Sequence, residues 1–249
     1  MVNWITFSKP PIEEALLDLR TDLPAKVDLA RLEEFHNGIR ERFPTKRDRF
    51  EFQGSIQLKG GGPPEMGPSP YKRVGFIFLS PDGKRVVQAR LDGFSFSQLR
   101  PYESWQSLRE EAKGLWSKYL ELVQPSMVTR VALRYINRID INLPVNDLSE
   151  YILTLPAIAP EIAETFSEFF MRIVMPVPGS DATAIVLLAT EPPKASAGKL
   201  TLVFDIDAFC RSNLDPKSEE LWTRLEKLRD LKNTIFFKST TEKAKEFFK

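Results

Sequence analysis

The clearest periodicity in this chain is a two-residue alternation from Met127 to Leu143 (MVTRVALRYINRIDINL). Val131, Leu133, Tyr135, Asn137, Ile139 and Ile141 fall on one side of an extended segment. Arg130, Ala132, Arg134, Ile136, Arg138 and Asp140 fall on the other, which predicts a long strand. Ile12–Leu23, entered through Pro10-Pro11, predicts another, as does Phe50–Leu58 with Phe50, Phe52, Gly54, Ile56 and Leu58 on one face. Arg73–Leu79 and Arg85–Phe96 flank Ser80-Pro81-Asp82-Gly83. Pro presets φ there and Gly accepts a positive φ, so a hairpin is expected. Phe166–Pro176, Thr183–Thr190 and Leu200–Ile206 complete the expected strands.

Helical spacing takes over elsewhere. Leu29, Leu32, Phe35, Ile39 and Phe43 form one stripe, with Asp28 as cap and Pro44 as stop. Trp105, Leu108, Ala112, Leu115, Tyr119 and Leu122 form a longer stripe over Trp105–Val123. A third helix is expected over Ser218–Leu231 and a fourth over Ser239–Lys249. Leu143–Pro160 reads as a proline-bearing connector. Lys59–Pro70 (KGGGPPEMGPSP) reads as a mobile loop, because prolines follow its glycines where a phosphate loop needs a helix N-terminus.

Leu91-Asp92-Gly93-Phe94 before Trp105-x-x-Leu108 is echoed by Ile206-Asp207-Ala208-Phe209 before Trp222-x-x-Leu225. The echo predicts an α+β fold of two similar halves, 1–143 and 144–249. Each would be antiparallel strands followed by a long helix, related by a pseudo-twofold duplication and packed as one compact unit. A cleft or concave sheet face between them is the natural ligand position.

Composition narrows the function classes. Lys+Arg of 35 against Asp+Glu of 34 gives a net charge of +1, without the basic excess expected of a duplex nucleic-acid binder. No apolar run approaches the ~18 residues a membrane helix requires. The N-terminus shows no basic-then-apolar secretory pattern, and the single Cys210 excludes an intramolecular disulfide framework, so a cytoplasmic protein is expected.

Candidate chemistry is sparse. Arg130, Arg134 and Arg138 share one strand face and could hold an anionic ligand bidentately; alternatively they lie over the long helix and pair with Glu110, Glu111 or Glu121. Tyr71, Phe76, Phe78, Phe94 and Phe96 could stack on bases, although strand spacing assigns them to the core. Glu13, Glu14, Asp92 and Asp207 are the carboxylates that could hold a divalent cation, with Asp92 and Asp207 at equivalent positions of the two halves; the plainer reading is turn capping. His36, the sole histidine, reads as a surface or boundary residue. Cys210 reads as a packed thiol at a strand-to-helix transition. Nothing demands a cofactor.

Pro10-Pro11-Ile12-Glu13-Glu14-Ala15, the strand Arg134–Ile139 and the ending Leu228–Glu242 (LRDLKNTIFFKSTTE) resemble a sporadically distributed bacterial and archaeal family of uncharacterised proteins. Its signatures are an N-terminal PPI-x-E and a C-terminal L-x(6)-IF-x(3)-T. Arg229 stands where that family's ending places a histidine, so a role for that imidazole is not carried over. The resemblance implies no activity; its patchy distribution suggests a subunit of a mobile-element or defence-associated complex. The expectation from the residues is a non-enzymatic ligand-binding or interaction module acting through Arg130, Arg134 and Arg138, toward a protein or anionic ligand or as a homo-oligomer. The alternative is a divalent-cation-dependent hydrolase or nuclease-like enzyme.

Overall fold

The alternating segments join one sheet in the computed structural model, which describes residues 4–52, 56–57, 65–66, 71–159, 161, 168–191 and 198–249. Its strands are β1 (Ile12–Asp22), β2 (Thr45–Phe52), β5 (Tyr71–Leu79), β6 (Arg85–Arg90) and β7 (Gly93–Leu99), then β8 (Met127–Asn142), β9 (Phe170–Pro176), β10 (Ala182–Thr190) and β11 (Lys199–Leu214). They run antiparallel in the order β2-β5-β6-β7-β1-β8-β11-β10-β9. β3 (Ile56–Gln57) and β4 (Glu65–Met66) pair separately. Apart from β4, the Lys59–Pro70 loop lies outside the described residues.

Register explains why the pattern folds this way. Phe78, Val87, Phe96, Leu17, Leu133, Ala208 and Ala184 are successive cross-strand partners, and all are buried. Partners directly opposite one another point to the same side, so this row is one apolar sheet face. That face is covered by α1 (Leu29–Ile39), α2 (Trp105–Val123) and α3 (Glu220–Ser239), and α4 (Glu242–Lys245) follows. Asp28 caps α1 by accepting from Arg31 N at 2.9 Å, and Ser104 caps α2 by accepting from Ser107 N at 3.1 Å. A one-residue slip of any central strand would turn its whole apolar set outward, which pins the register. The row Gln88, Ser95, Asp18, Ala132 and Phe209 belongs to the opposite face, against which α1, α2 and α3 do not pack.

The expected α+β fold of two similar halves is therefore corrected: the protein is a single antiparallel sheet with its helices on one face. β1 lies mid-sheet between β7 and β8, and β8 pairs with β11, so the ladder runs unbroken across the expected division at 143/144. The sequence echo joins unlike positions. Asp92 sits in the tight β6–β7 turn, where Gly93 holds φ 150°, whereas Asp207 sits within β11 opposite Arg134 and Ile185. A four-residue match cannot separate a turn aspartate from one in a ladder. The same turn splits the expected strand Arg85–Phe96 into β6 and β7. β2 begins at Thr45, ahead of the apolar signal, because its charged TKRDRFEF sequence suits a sheet edge. α3 continues to Ser239, eight residues past the expected end at Leu231, and the tail is helical only over α4 and a terminal 3-10 turn.

Candidate functional site

α3 opens as a standard core helix, burying Leu221, Trp222, Leu225 and Leu228 against the sheet. The same stripe then continues through Lys232, Asn233 and Phe236. Lys232 stands four residues after Leu228 and four before Phe236, so helical geometry carries its amine inward where an apolar side chain would otherwise pack. Beneath it, Tyr135 and Asn137 project from the apolar face of β8.

Between them lies a cavity of about 360 Å³. Its floor is Tyr135 and Asn137, and one side is Arg229, Lys232, Asn233 and Phe236 of α3. Tyr102, Ser104 and Trp105 at the start of α2 form another side, and residues 4–7 with Pro10 and Pro11 complete the wall. The N-terminal segment is fastened there by side chains. Trp4 Nε1 donates to Asp230 Oδ1 at 2.8 Å, and the Trp4 ring stacks on Phe237 at 5.2 Å. Phe7 stacks on Phe237 at 5.6 Å and meets the Phe248 edge at 5.4 Å. Trp105 donates to Glu226 at 2.8 Å, while the Arg229 guanidinium lies 5.8 Å from the Trp105 ring.

Lys232 is 8% exposed, and no ion pair engages it among the described residues. Its Nζ lies 3.6 Å from the centre of the Tyr135 ring. The carboxylates around the cavity are engaged elsewhere: Glu103 by Arg85 at 3.2 Å, Glu226 by Arg109 at 3.3 Å, Asp230 by Trp4. Burial, and secondarily the Arg229 charge, push the Lys232 amine down to about 7. The Tyr102 and Tyr135 hydroxyls are 2.9 Å apart. Burial raises the Tyr102 phenol to about 12 and Tyr135 well above its ordinary value, so both stay protonated at neutral pH. The cavity thus offers an amine poised between its two charge states, a guanidinium and a phenol pair, inside aromatic walls.

Arg130, Arg134 and Arg138 lie on the opposite face of β8 from Tyr135 and Asn137, away from the helices and their glutamates. Each meets a carboxylate of the chain itself. Arg130 bonds Asp18 at 3.2 Å and Asp207 at 3.0 Å, Arg134 bonds Asp205 at 2.5 and 2.8 Å, and Arg138 bonds Glu191 at 2.8 Å. The Arg134 guanidinium is held further into its charged range by Asp205. Asp207 is raised by burial against the pull of Arg130 and Arg134. Asp18 also takes Arg90 at 2.6 Å, so the network crosses the middle of the sheet.

Of the four carboxylates considered for a cation, Glu13 pairs with Arg100 at 2.7 Å and Asp92 with Arg90 at 3.0 Å and with Arg20. Glu14 faces Leu99 while the Asp92 turn meets the Arg20–Thr21 end of β1, which separates them by about 20 Å at strand rise. No group of three or more His, Cys, Asp or Glu side chains is placed to hold a metal among the described residues. His36 is buried rather than at the surface: its Nε2 lies 2.9 Å from the Phe43 carbonyl oxygen and its ring stacks on Phe78. Cys210 lies within β11 rather than at its end, and burial raises its thiol. Phe76, Phe78, Phe94 and Phe96 are buried under the helices, whereas Tyr71 is exposed.

The residues that build the cavity carry a sequence signal: a lysine and an asparagine inside the apolar stripe of α3, and Asn137 on the apolar face of β8. No protein-family model matches the chain, and no curated protein matches it in sequence.

Proposed function

We propose that the protein is a ligand-binding module whose ligand occupies the cavity between the N-terminal segment and α3. The ligand is a small molecule with an apolar or aromatic body and one carboxylate. The observation that carries this reading is Lys232, a buried amine with no ion-pair partner among the described residues, opening on a cavity of ligand size. Arg229 supplies a bidentate carboxylate partner, since its contact to Glu226 is long at 3.8 Å. The aromatic walls accept the apolar body. Each of the three segments on which the family resemblance rests, Pro10–Ala15, Arg134–Ile139 and Leu228–Glu242, contributes residues to this cavity: Pro10 and Pro11, Tyr135 and Asn137, and Arg229, Lys232, Asn233 and Phe236. That convergence supports it as the working site. The arginine face ranks second, because an incoming anion there must displace aspartates already bound.

The test is calorimetric titration with benzoate as probe, alongside native mass spectrometry of gently purified protein. Saturable binding that weakens at least about tenfold in Arg229→Met and persists in Arg134→Met supports the cavity. Binding lost in Arg134→Met and kept in Arg229→Met transfers the site to the open sheet face and overturns the reading, as does no heat of binding at all.

A further inference from the structure

We propose that Lys232 forms a reversible imine with its ligand, making the cavity a site for small carbonyl compounds that carry a carboxylate, such as 2-oxo acids or carboxylated aldehydes. This rests on the reading of the cavity as the ligand site. The placement of the amine is the main ground. Lys232 is recruited from a core stripe yet reaches a cavity, and among the described residues no carboxylate holds its proton. A structural lysine ordinarily pairs or snorkels to solvent. Arg229, three residues earlier and in the same wall, supplies a second positive charge. Desolvation beside another cation is the arrangement that leaves a lysine amine neutral and nucleophilic. The amine's displacement to about 7 agrees with that geometry.

The step balances without any outside oxidant or reductant. The lone pair of the neutral Nζ adds to the carbonyl carbon as the C=O π pair moves to oxygen. A proton passes from nitrogen to that oxygen, giving a carbinolamine. Protonation of its hydroxyl releases water as the nitrogen lone pair forms the C=N bond, and loss of the remaining N–H proton gives the imine. The ligand carboxylate meets Arg229 while the Tyr102–Tyr135 hydroxyl pair lines the same cavity as a polar contact for the departing oxygen. Hydrolysis reverses every step.

The experiment incubates the full chain at pH 7 with 4-formylbenzoate and sodium cyanoborohydride, which reduces an imine to a stable secondary amine, and maps the product by peptide mass spectrometry. At that pH the neutral fraction of an amine with pKa near 7 exceeds that of an ordinary lysine about a thousandfold. The expected result is a single carboxybenzyl group on Lys232, at least about tenfold above any other lysine after allowing for lower intrinsic nucleophilicity. Peptide mapping separates this from the α-amino terminus, which also titrates near neutrality. Excess benzoate suppresses the label, and Lys232→Met, checked for folding by circular dichroism, loses it. If benzoate binds by calorimetry but Lys232 stays unlabelled or is no more labelled than surface lysines, the imine falls and the binding site stands. If benzoate neither binds nor protects, both fall together.

Discussion

Replacing Lys232 with methionine tests the burial of its amine directly. Lysine in an unfolded chain titrates near 10.4, and in the folded protein near 7. Below pH 7 both states hold the proton, and the folded state bears the full cost of an ammonium in an aromatic pocket. Between pH 7 and about 10.4 the unfolded chain binds a proton that the folded chain does not, so this group makes stability rise with pH, by about tenfold in the folding constant per unit. Above that window the cost is gone. The gap of about three and a half units corresponds to roughly 4 kcal/mol near neutrality. Methionine is unbranched like lysine and one atom shorter, removes the charge and packs well against rings such as Tyr135 and Phe236. Lys232→Met is therefore expected to be more stable than the parent by about 2–4 kcal/mol at pH 7, with the difference shrinking steadily toward pH 9.5. Urea denaturation of both proteins at half-unit pH steps measures this, since groups common to both cancel in the difference. A gap that does not change with pH, or a variant less stable at pH 7, refutes the assignment of Lys232 as a buried amine without a counter-charge.

Three further outcomes follow from the packing. Asp18 is 6% exposed and binds Arg90, itself 4% exposed, at 2.6 Å, so Asp18→Ala should cost about 3–5 kcal/mol in urea denaturation, and a cost below about 1 kcal/mol would show the mid-sheet network to be solvated. At Gly93, where φ is 150° and an added Cβ would overlap the Leu19 carbonyl oxygen, alanine should cost more than about 2 kcal/mol, whereas Gly114→Ala, on the exposed face of α2 with nothing near it, should gain up to about 1 kcal/mol. The Tyr102 and Tyr135 hydroxyls satisfy each other, so removing either should cost about 1–2 kcal/mol and removing both less than the sum; strict additivity in the double-mutant cycle would deny the bond.

Much of the secondary structure was legible because it is written in local periods. The β8 alternation, the hairpin turn at Pro81-Asp82-Gly83 and the Trp105–Val123 helix follow from side-chain spacing, a preset φ or a capping oxygen, each acting over a few residues. Turn capping was the plainer reading of Asp92, yet the strand Arg85–Phe96 was drawn straight through it, because Gly93 is intelligible as a strand break only once β6 and β7 are known to pair. The candidate site was hidden by parity. Arg130, Arg134 and Arg138 drew attention as a charged row, while the quieter Tyr135 and Asn137 on the other side of the same strand face the cavity.

The sequence by itself determined where most strands and helices lie and which side of each is apolar, but its third helix was expected to stop at Leu231, so the place of Lys232 in the buried stripe came from the structure. Only the tertiary structure decided that β1 and β8 pair at the middle of one sheet, and that Trp4 meets Asp230 across 226 positions of chain. Periodicity is a property of neighbours two to four residues apart. Which apolar face meets which is settled by the joint burial of all of them, and a cavity walled by side chains drawn from segments 4–12, 102–106, 135–137 and 229–237 exists only once that choice is made.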